Sequence, residues 1–192
     1  LILFFSDNGA HALIPNNDAK YPDAEQYPAV KVGSDNAPLR GFKSSVYEGG
    51  IRSPTIVSWP GHLQPGVLDA PLHTTDWMPT LTRLIGYQPP RDLKWDGLDI
   101  WPMLTATASA GEPRTLYCLG SNRRDQIVRR GPWKLITHTK GPPELYNLAD
   151  DIGESHNLAD DRPELVADLQ RRLTVAAARD NECKVHDPSA KQ

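Results

Sequence analysis

An α/β fold is predicted by three features of the 192-residue sequence: it opens on five consecutive apolar residues, LILFF; two amphipathic stretches, 75–86 and 163–179, have helical spacing; and four short strand-like runs crowd between residues 115 and 148. An apolar run of this length reads as a strand buried on both faces, which belongs inside a mostly parallel sheet covered by helices. Such a strand needs neighbours, so Leu1 is expected to be the edge of a fragment of a longer fold.

Residues 12–38 follow, with four prolines, several Asn and Asp and no periodicity. They predict a long irregular loop, a kind that is usually functional or disordered. TIVSW, bounded by Pro54 and Pro60, predicts a second strand. TTDWMPTLTRLIGY predicts a helix with Thr75 as N-cap, Asp76 at its positive end, Gly86 just past the last apolar position, and Leu81, Leu84 and Ile85 on one face. Residues 87–114 are rich in Pro and Gly, with one short apolar turn at 100–104. The boundary is expected near 105–114, giving a unit over 1–110 and a small α+β unit over 111–192. TLYCLG, QIVRRG, WKLITHT and ELYNL predict a small antiparallel sheet. A closing helix runs from Pro163, suited to the first helical position, to about Arg179, with Leu165, Val166, Leu169 and Leu173 recurring at spacings of three and four.

Composition removes several classes of partner. The 21 basic and 24 acidic residues are dispersed, with no Lys/Arg block to neutralise a phosphate backbone or anionic lipid, so nucleic acid is not an expected ligand. Cys118 and Cys183 form no disulfide framework and no CxxC pair; whether they join each other depends on the compartment. LILFF has no basic residue before it and no small-residue cleavage site after it, and it is far short of the ~20 apolar residues of a membrane span.

Chemistry is concentrated near the front. Asp7 and Asn8, at the end of a buried strand and followed by Gly9, place two hard oxygen donors at the carboxyl edge of a sheet, where open α/β folds bind ligands. Such oxygens suit Ca²⁺ or Mg²⁺. The same SDNG also reads as a plain turn with its Asx side chains capping backbone donors, and two ligands fall short of the ~6–8 oxygens that Ca²⁺ takes. Arg40, Lys43 and Arg52 bracket EGG, a cation set among glycines that suits an oxyanion; alternatively Arg40 or Arg52 pairs with Glu48 to brace a loop. Glu48 is read as structural. His11, four residues past Asp7, can donate to an anionic substrate or carry a proton. His73 is read as a local hydrogen-bonding residue, and His62, His138, His156 and His186 receive no role.

Taken together and in order, SDNGAH, PLRGFKSSVYEGGIRSP, a strand ending WPG, TTDWMPTL, WDGLDIWPML and ELYNLADDIGESHNLA resemble the type I sulfatases, the arylsulfatase family. The most specific part is the pairing of DNG with LRG-x-K-(x)4-EGG-x-R. The resemblance implies the C-terminal part of an alkaline phosphatase-like α/β/α sandwich followed by a small antiparallel sheet and helix. It implies that Asp7 and Asn8 are half of a Ca²⁺ site, that Lys43 contacts the sulfate ester and offsets charge during S–O cleavage, that His11 faces the pocket, that Arg52 shapes the site, and that Asp76, Pro79 and Thr80 are scaffold. The implied substrate is a sulfated carbohydrate or an aryl sulfate, with Tyr21, Tyr27, Lys31 and Trp95 as candidate wall residues. Family habit implies a periplasmic or secreted location; no oligomeric state follows.

The sequence also departs from the family. Its nucleophile is a formylglycine made from Cys or Ser in C/S-x-P-S/A-R, and neither LYCLGSN around Cys118 nor NECKVH around Cys183 fits that pattern. The paired aspartates that complete the metal site have no counterpart. The chain alone is therefore expected to be inactive, and it is expected to fold poorly because the strands and helices that would cover Leu1 to Phe5 are absent and that apolar surface is left open. Two other readings stay open: a phosphonate or phosphate ester hydrolase of the same superfamily, and a non-catalytic remnant module.

Overall fold

The computed structural model describes residues 1–11, 14–15, 31–32, 35–105, 112–121 and 124–179. Tyr21, Tyr27, Cys183 and His186 lie outside them, and of Lys31 only its strand position is described. Strand β1 (Ile2–Phe5) pairs with β4 (Thr55–Ser58), β2 (Ile14–Pro15) with β3 (Lys31–Val32), and β5 (Thr115–Leu119), β6 (Gln126–Arg130), β7 (Trp133–Thr137) and β8 (Glu144–Asn147) form a four-stranded sheet in sequence order. Helices α1 (Glu48–Ile51), α2 (Trp77–Leu84), α3 (Trp101–Leu104) and α4 (Pro163–Ala178) complete the described elements.

The pairing of the first strand departs from expectation. β1 lies antiparallel to β4, with Leu3 opposite Val57 and Phe5 opposite Thr55. Ile2 and Phe4 are 67% and 63% exposed, and Ile56 is 62% exposed, the open apolar surface expected of this chain alone. The direction follows from the connection: α1 ends beside the end of β1, and Arg52 to Pro54 lead straight back along it. Two strands without a covering layer leave their apolar side chains in water. The 12–38 stretch also contains a short ladder, Ile14 opposite Val32, within the predicted loop.

The C-terminal sheet and helix match the predicted pattern. All three pairings are antiparallel. One face places Val128, Leu135 and Leu145 against Val166, Leu169 and Leu173 of α4; full burial of such side chains is worth about 2 kcal/mol each. The other face carries Ile127, Ile136, Tyr146 and Leu148 and packs on Val46, just before α1. Both faces of this sheet are therefore covered, and its second face is laid against the EGG motif.

The middle of the chain is organised by Asp76. Thr75 is not the cap: a 3₁₀ turn at Thr74–Asp76 precedes α2, and His73 caps it, its ring nitrogen accepting from the Thr75 N–H while the Asp76 carboxylate accepts from the His73 N–H. This reciprocal arrangement satisfies two helix-start donors at once. The Asp76 carboxylate also takes the Leu98 N–H at 2.9 Å and a two-pronged contact from Arg114 at 2.7 and 2.5 Å. Burial opposes its charge, but these donors outweigh burial and hold its pKa below the ordinary carboxylate value. Gly97 passes so close that a β-carbon would meet the Thr75 carbonyl oxygen at 2.0 Å. Gly86, at φ +72°, ends α2 as predicted, whereas Ile85 is 79% exposed and does not join the buried face.

Candidate active site

Beyond β1 the chain turns sharply through Ser6 to Gly9. Ser6 Oγ donates to the Asn8 carbonyl at 2.7 Å, and Asn8 Nδ2 donates to the Gly9 carbonyl at 3.0 Å. That bond turns the Asn8 amide nitrogen to its own backbone and leaves Oδ1 as an acceptor. The Asp7 carboxylate is exposed and takes no hydrogen bond or ion pair from the described residues. SDNG is thus a turn, and its Asp7 side chain is not spent on capping it.

Glycine explains how the turn is held. The Gly9 N–H donates to the Gly50 carbonyl at 3.1 Å, and a β-carbon on Gly9 would lie 1.7 Å from the Gly49 carbonyl oxygen. Gly49 in turn donates to the Arg40 carbonyl at 2.7 Å, and a β-carbon there would meet the Gly41 and Arg40 oxygens at 2.4 and 2.6 Å. Gly49 and Gly50 of α1 are therefore a spacer with no side chains, letting the SDNG turn and the LRG loop stack backbone on backbone.

The turn and the loop are also joined directly. The Lys43 N–H donates to the Ala10 carbonyl at 2.9 Å. Asn36 ties both: its Oδ1 accepts from the Ala10 N–H at 3.0 Å, and its Nδ2 donates to Gly41 at 3.0 Å and to Ala10 at 3.3 Å. Sequence reasoning missed Asn36; the one signal was the second Ser-Asp-Asn, residues 34–36, ahead of the LRG loop.

An open cleft forms at this junction, lined by Ser6, Asn8, His11, Asn36 and Arg52 among others. Asn8 and His11 face it, as does Arg52. Asp7, Lys43 and Trp95 are not among its lining residues, although Asp7 and Lys43 flank it in sequence. Lys43 is exposed, and its ammonium has no carboxylate partner among the described residues. The predicted bracing pair resolves in favour of Arg52, whose Nη1 lies 4.0 Å from Glu48 Oε2. Arg40 instead reaches the C-terminal unit, donating to Tyr146 and to the Glu154 carbonyl, both at 2.9 Å, with its guanidinium 3.8 Å over the Tyr47 ring.

Glu48 is 2% exposed and is structural, as predicted. Around the Tyr47 hydroxyl, Glu144 accepts from Tyr47 and Tyr146 and meets His138 Nε2 at 2.8 Å. Burial works against charging His138, but its contacts with Asp125 and Glu144 prevail and raise its pKa. Burial and the Glu144 carboxylate push the Tyr146 hydroxyl well above its ordinary range, which keeps it a neutral donor.

Comparison with known proteins decides the family. The Sulfatase family model matches residues 1–87. Arylsulfatase A of Bos taurus is 29% identical over 83% of this chain and 33% of its own length, and steryl-sulfatase of Rattus norvegicus is 35% identical over 92% of this chain and 34% of its own length. The chain belongs to the type I sulfatase family. This sulfatase chain superposes on the crystal structure of Ps i-CgsB in complex with k-i-k-neocarrahexaose with a TM-score of 0.75 and 25% identity, over 98% of this chain and 39% of that one. The chain thus spans about a third of the length of the curated relatives it matches. The α/β fold class predicted from the sequence is that of these sulfatases.

The oxygens on the SDNG turn fit a hard cation in kind. Asp7 and Asn8 contribute carboxylate and amide oxygens, the donors that Ca²⁺ takes. They do not complete a site by themselves: among the described residues no group of three or more His, Cys, Asp and Glu could hold a metal. Among the same residues no helix is long and apolar enough to cross a membrane.

Proposed function

We propose that this chain supplies half of the sulfate-ester hydrolysing site of a longer sulfatase. One observation supports this most: a carboxylate and an amide oxygen without donors among the described residues stand on a turn bonded, through Lys43 N–H to Ala10 carbonyl, to a loop whose lysine has no carboxylate partner among the same residues. In this reading Asp7 and Asn8 would hold Ca²⁺, which would offset the negative charge of the sulfate group. Lys43 offsets the negative charge that builds on the sulfuryl and leaving oxygens as the S–O bond lengthens. His11, lining the cleft, donates a proton towards the leaving oxygen, and Arg52 shapes the cleft wall. The formylglycine nucleophile is supplied from outside this sequence, which has no C/S-x-P-S/A-R motif, so the chain alone is inactive.

The relatives support a substrate class. Sulfated carbohydrates and aryl sulfates are the proposed substrates, supported by the arylsulfatase A match and by the oligosaccharide bound to Ps i-CgsB. A periplasmic or secreted location belongs to the same proposal and rests on family habit. Residues 1–110 form part of the catalytic unit and 111–192 the small unit that braces it.

The test is turnover by the complete protein. An aryl sulfate should be hydrolysed faster than the matching phosphate or phosphonate ester, chelation should abolish the activity, and added Ca²⁺ should restore it. Faster turnover of the phosphorus ester would replace this reading with that of a phosphoesterase. A complete protein inactive on both would leave the remnant module.

A further inference from the structure

Outside the cleft, the most unusual group in the fold is a buried lysine. WKLIT of β7 alternates, so Lys134 shares a face with Ile136 and Tyr146, the face laid against α1. Its side chain is 0% exposed, and a buried ammonium is costly unless it is paired. Nζ meets Glu48 Oε1 at 2.9 Å and Glu154 Oε1 at 2.7 Å.

Glu154 does more than balance charge. Its other carboxylate oxygen accepts the Glu48 N–H at 2.6 Å, at the head of α1, and its carbonyl accepts from Arg40. Its backbone sits at φ +51°, a conformation that non-glycine residues adopt uncommonly. Burial raises the Glu154 pKa against the pull of Lys134. Arg129 and Arg52, 3.8 and 4.0 Å from Glu48 Oε2, complete the set of charges. Both ends of Glu48, its carboxylate and its N–H, are thus held by the C-terminal unit.

What Glu48 leads is the spacer between the two parts of the candidate site. Gly49 carries the LRG loop on its N–H and Gly50 carries the SDNG turn on its carbonyl. We infer that Lys134 and Glu154 are positioning residues that set the SDNG turn against the Lys43 loop by clamping Glu48 at the head of α1. Among the described residues neither makes a hydrogen bond or ion pair to a residue lining the cleft; their effect passes through Glu48, by the backbone bonds of α1 and by the carboxylate that also meets Arg52. The inference rests on the proposed function for its catalytic consequence and on geometry alone for its mechanical one.

The experiment compares the complete protein with Lys134→Met by amide hydrogen exchange and steady-state kinetics, at a temperature where circular dichroism shows both folded. Should Lys134→Met not fold, Glu154→Gln, nearly isosteric, takes its place. Exchange at Gly9 and Lys43, which neither substitution contacts, is expected to accelerate about tenfold or more. The kcat for an aryl sulfate should fall about tenfold with KM within about twofold, the signature of a misplaced reacting group rather than lost substrate binding. Faster exchange confined to residues 48–51 and the C-terminal sheet, or kcat unchanged in a folded variant, would overturn the inference. Wild-type protein inactive on sulfate esters, with Gly9 and Lys43 exchange accelerated in the variant, would sink the proposed function and leave the mechanical link standing.

Discussion

Replacing Lys43 with alanine in the complete protein is expected to lower kcat for an aryl sulfate by about 10²–10³-fold, the usual cost of removing one group that stabilises developing charge. Little stability should be lost. The side chain is exposed and unpaired with any carboxylate among the described residues, and what fixes its loop is backbone: the Lys43 N–H on Ala10 and the Gly49 N–H on Arg40. Lys43→Arg should retain part of the rate, since the charge remains but its position shifts. Steady-state kinetics beside a melting curve check this. An unchanged kcat, or a fall matched by lost folding, would remove Lys43 from the reaction.

The largest effect on stability is expected at Asp76. Asp76→Ala leaves the Arg114 guanidinium without its two-pronged partner and the His73 and Leu98 N–H groups without an acceptor. Breaking a buried pair from one side costs about 3–5 kcal/mol. The pH dependence has a definite sign. The folded pKa of Asp76 lies below its ordinary 3.8, so its contribution is present in full above that value and disappears as pH falls through the folded pKa. Denaturant melts at pH 7 should show the full loss, and the gap between wild type and variant should close in acid below about pH 3.8. A gap that stays constant with pH would mean that the carboxylate charge is not what matters.

Periodicity made much of the fold legible. β5 to β8 and α4 were readable because alternation and three-four spacing are local signals, and Val166, Leu169 and Leu173 are buried where that spacing put them. LILFF misled because an apolar run reports hydrophobicity without reporting its partner's direction; here α1 returns the chain antiparallel. His73 displaced Thr75 as cap because a 3₁₀ turn starts the helix a step earlier. In the candidate site, the EGG glycines were recognisable as a close-approach signal, and Glu48 as structural. Lys134, Asn36 and Glu154 were not recognisable, since each acts through contacts far apart in sequence, 86 residues in the case of Lys134 and Glu48.

The proposed function requires that the SDNG turn and the Lys43 loop serve a single site. A crystal structure of the complete protein with Ca²⁺ and a sulfate ester tests it most directly. The metal is expected about 2.3–2.6 Å from oxygens of Asp7 and Asn8, with the Lys43 ammonium within hydrogen-bond distance of the sulfate. A metal bound elsewhere, or a sulfate group out of reach of Lys43, would contradict it.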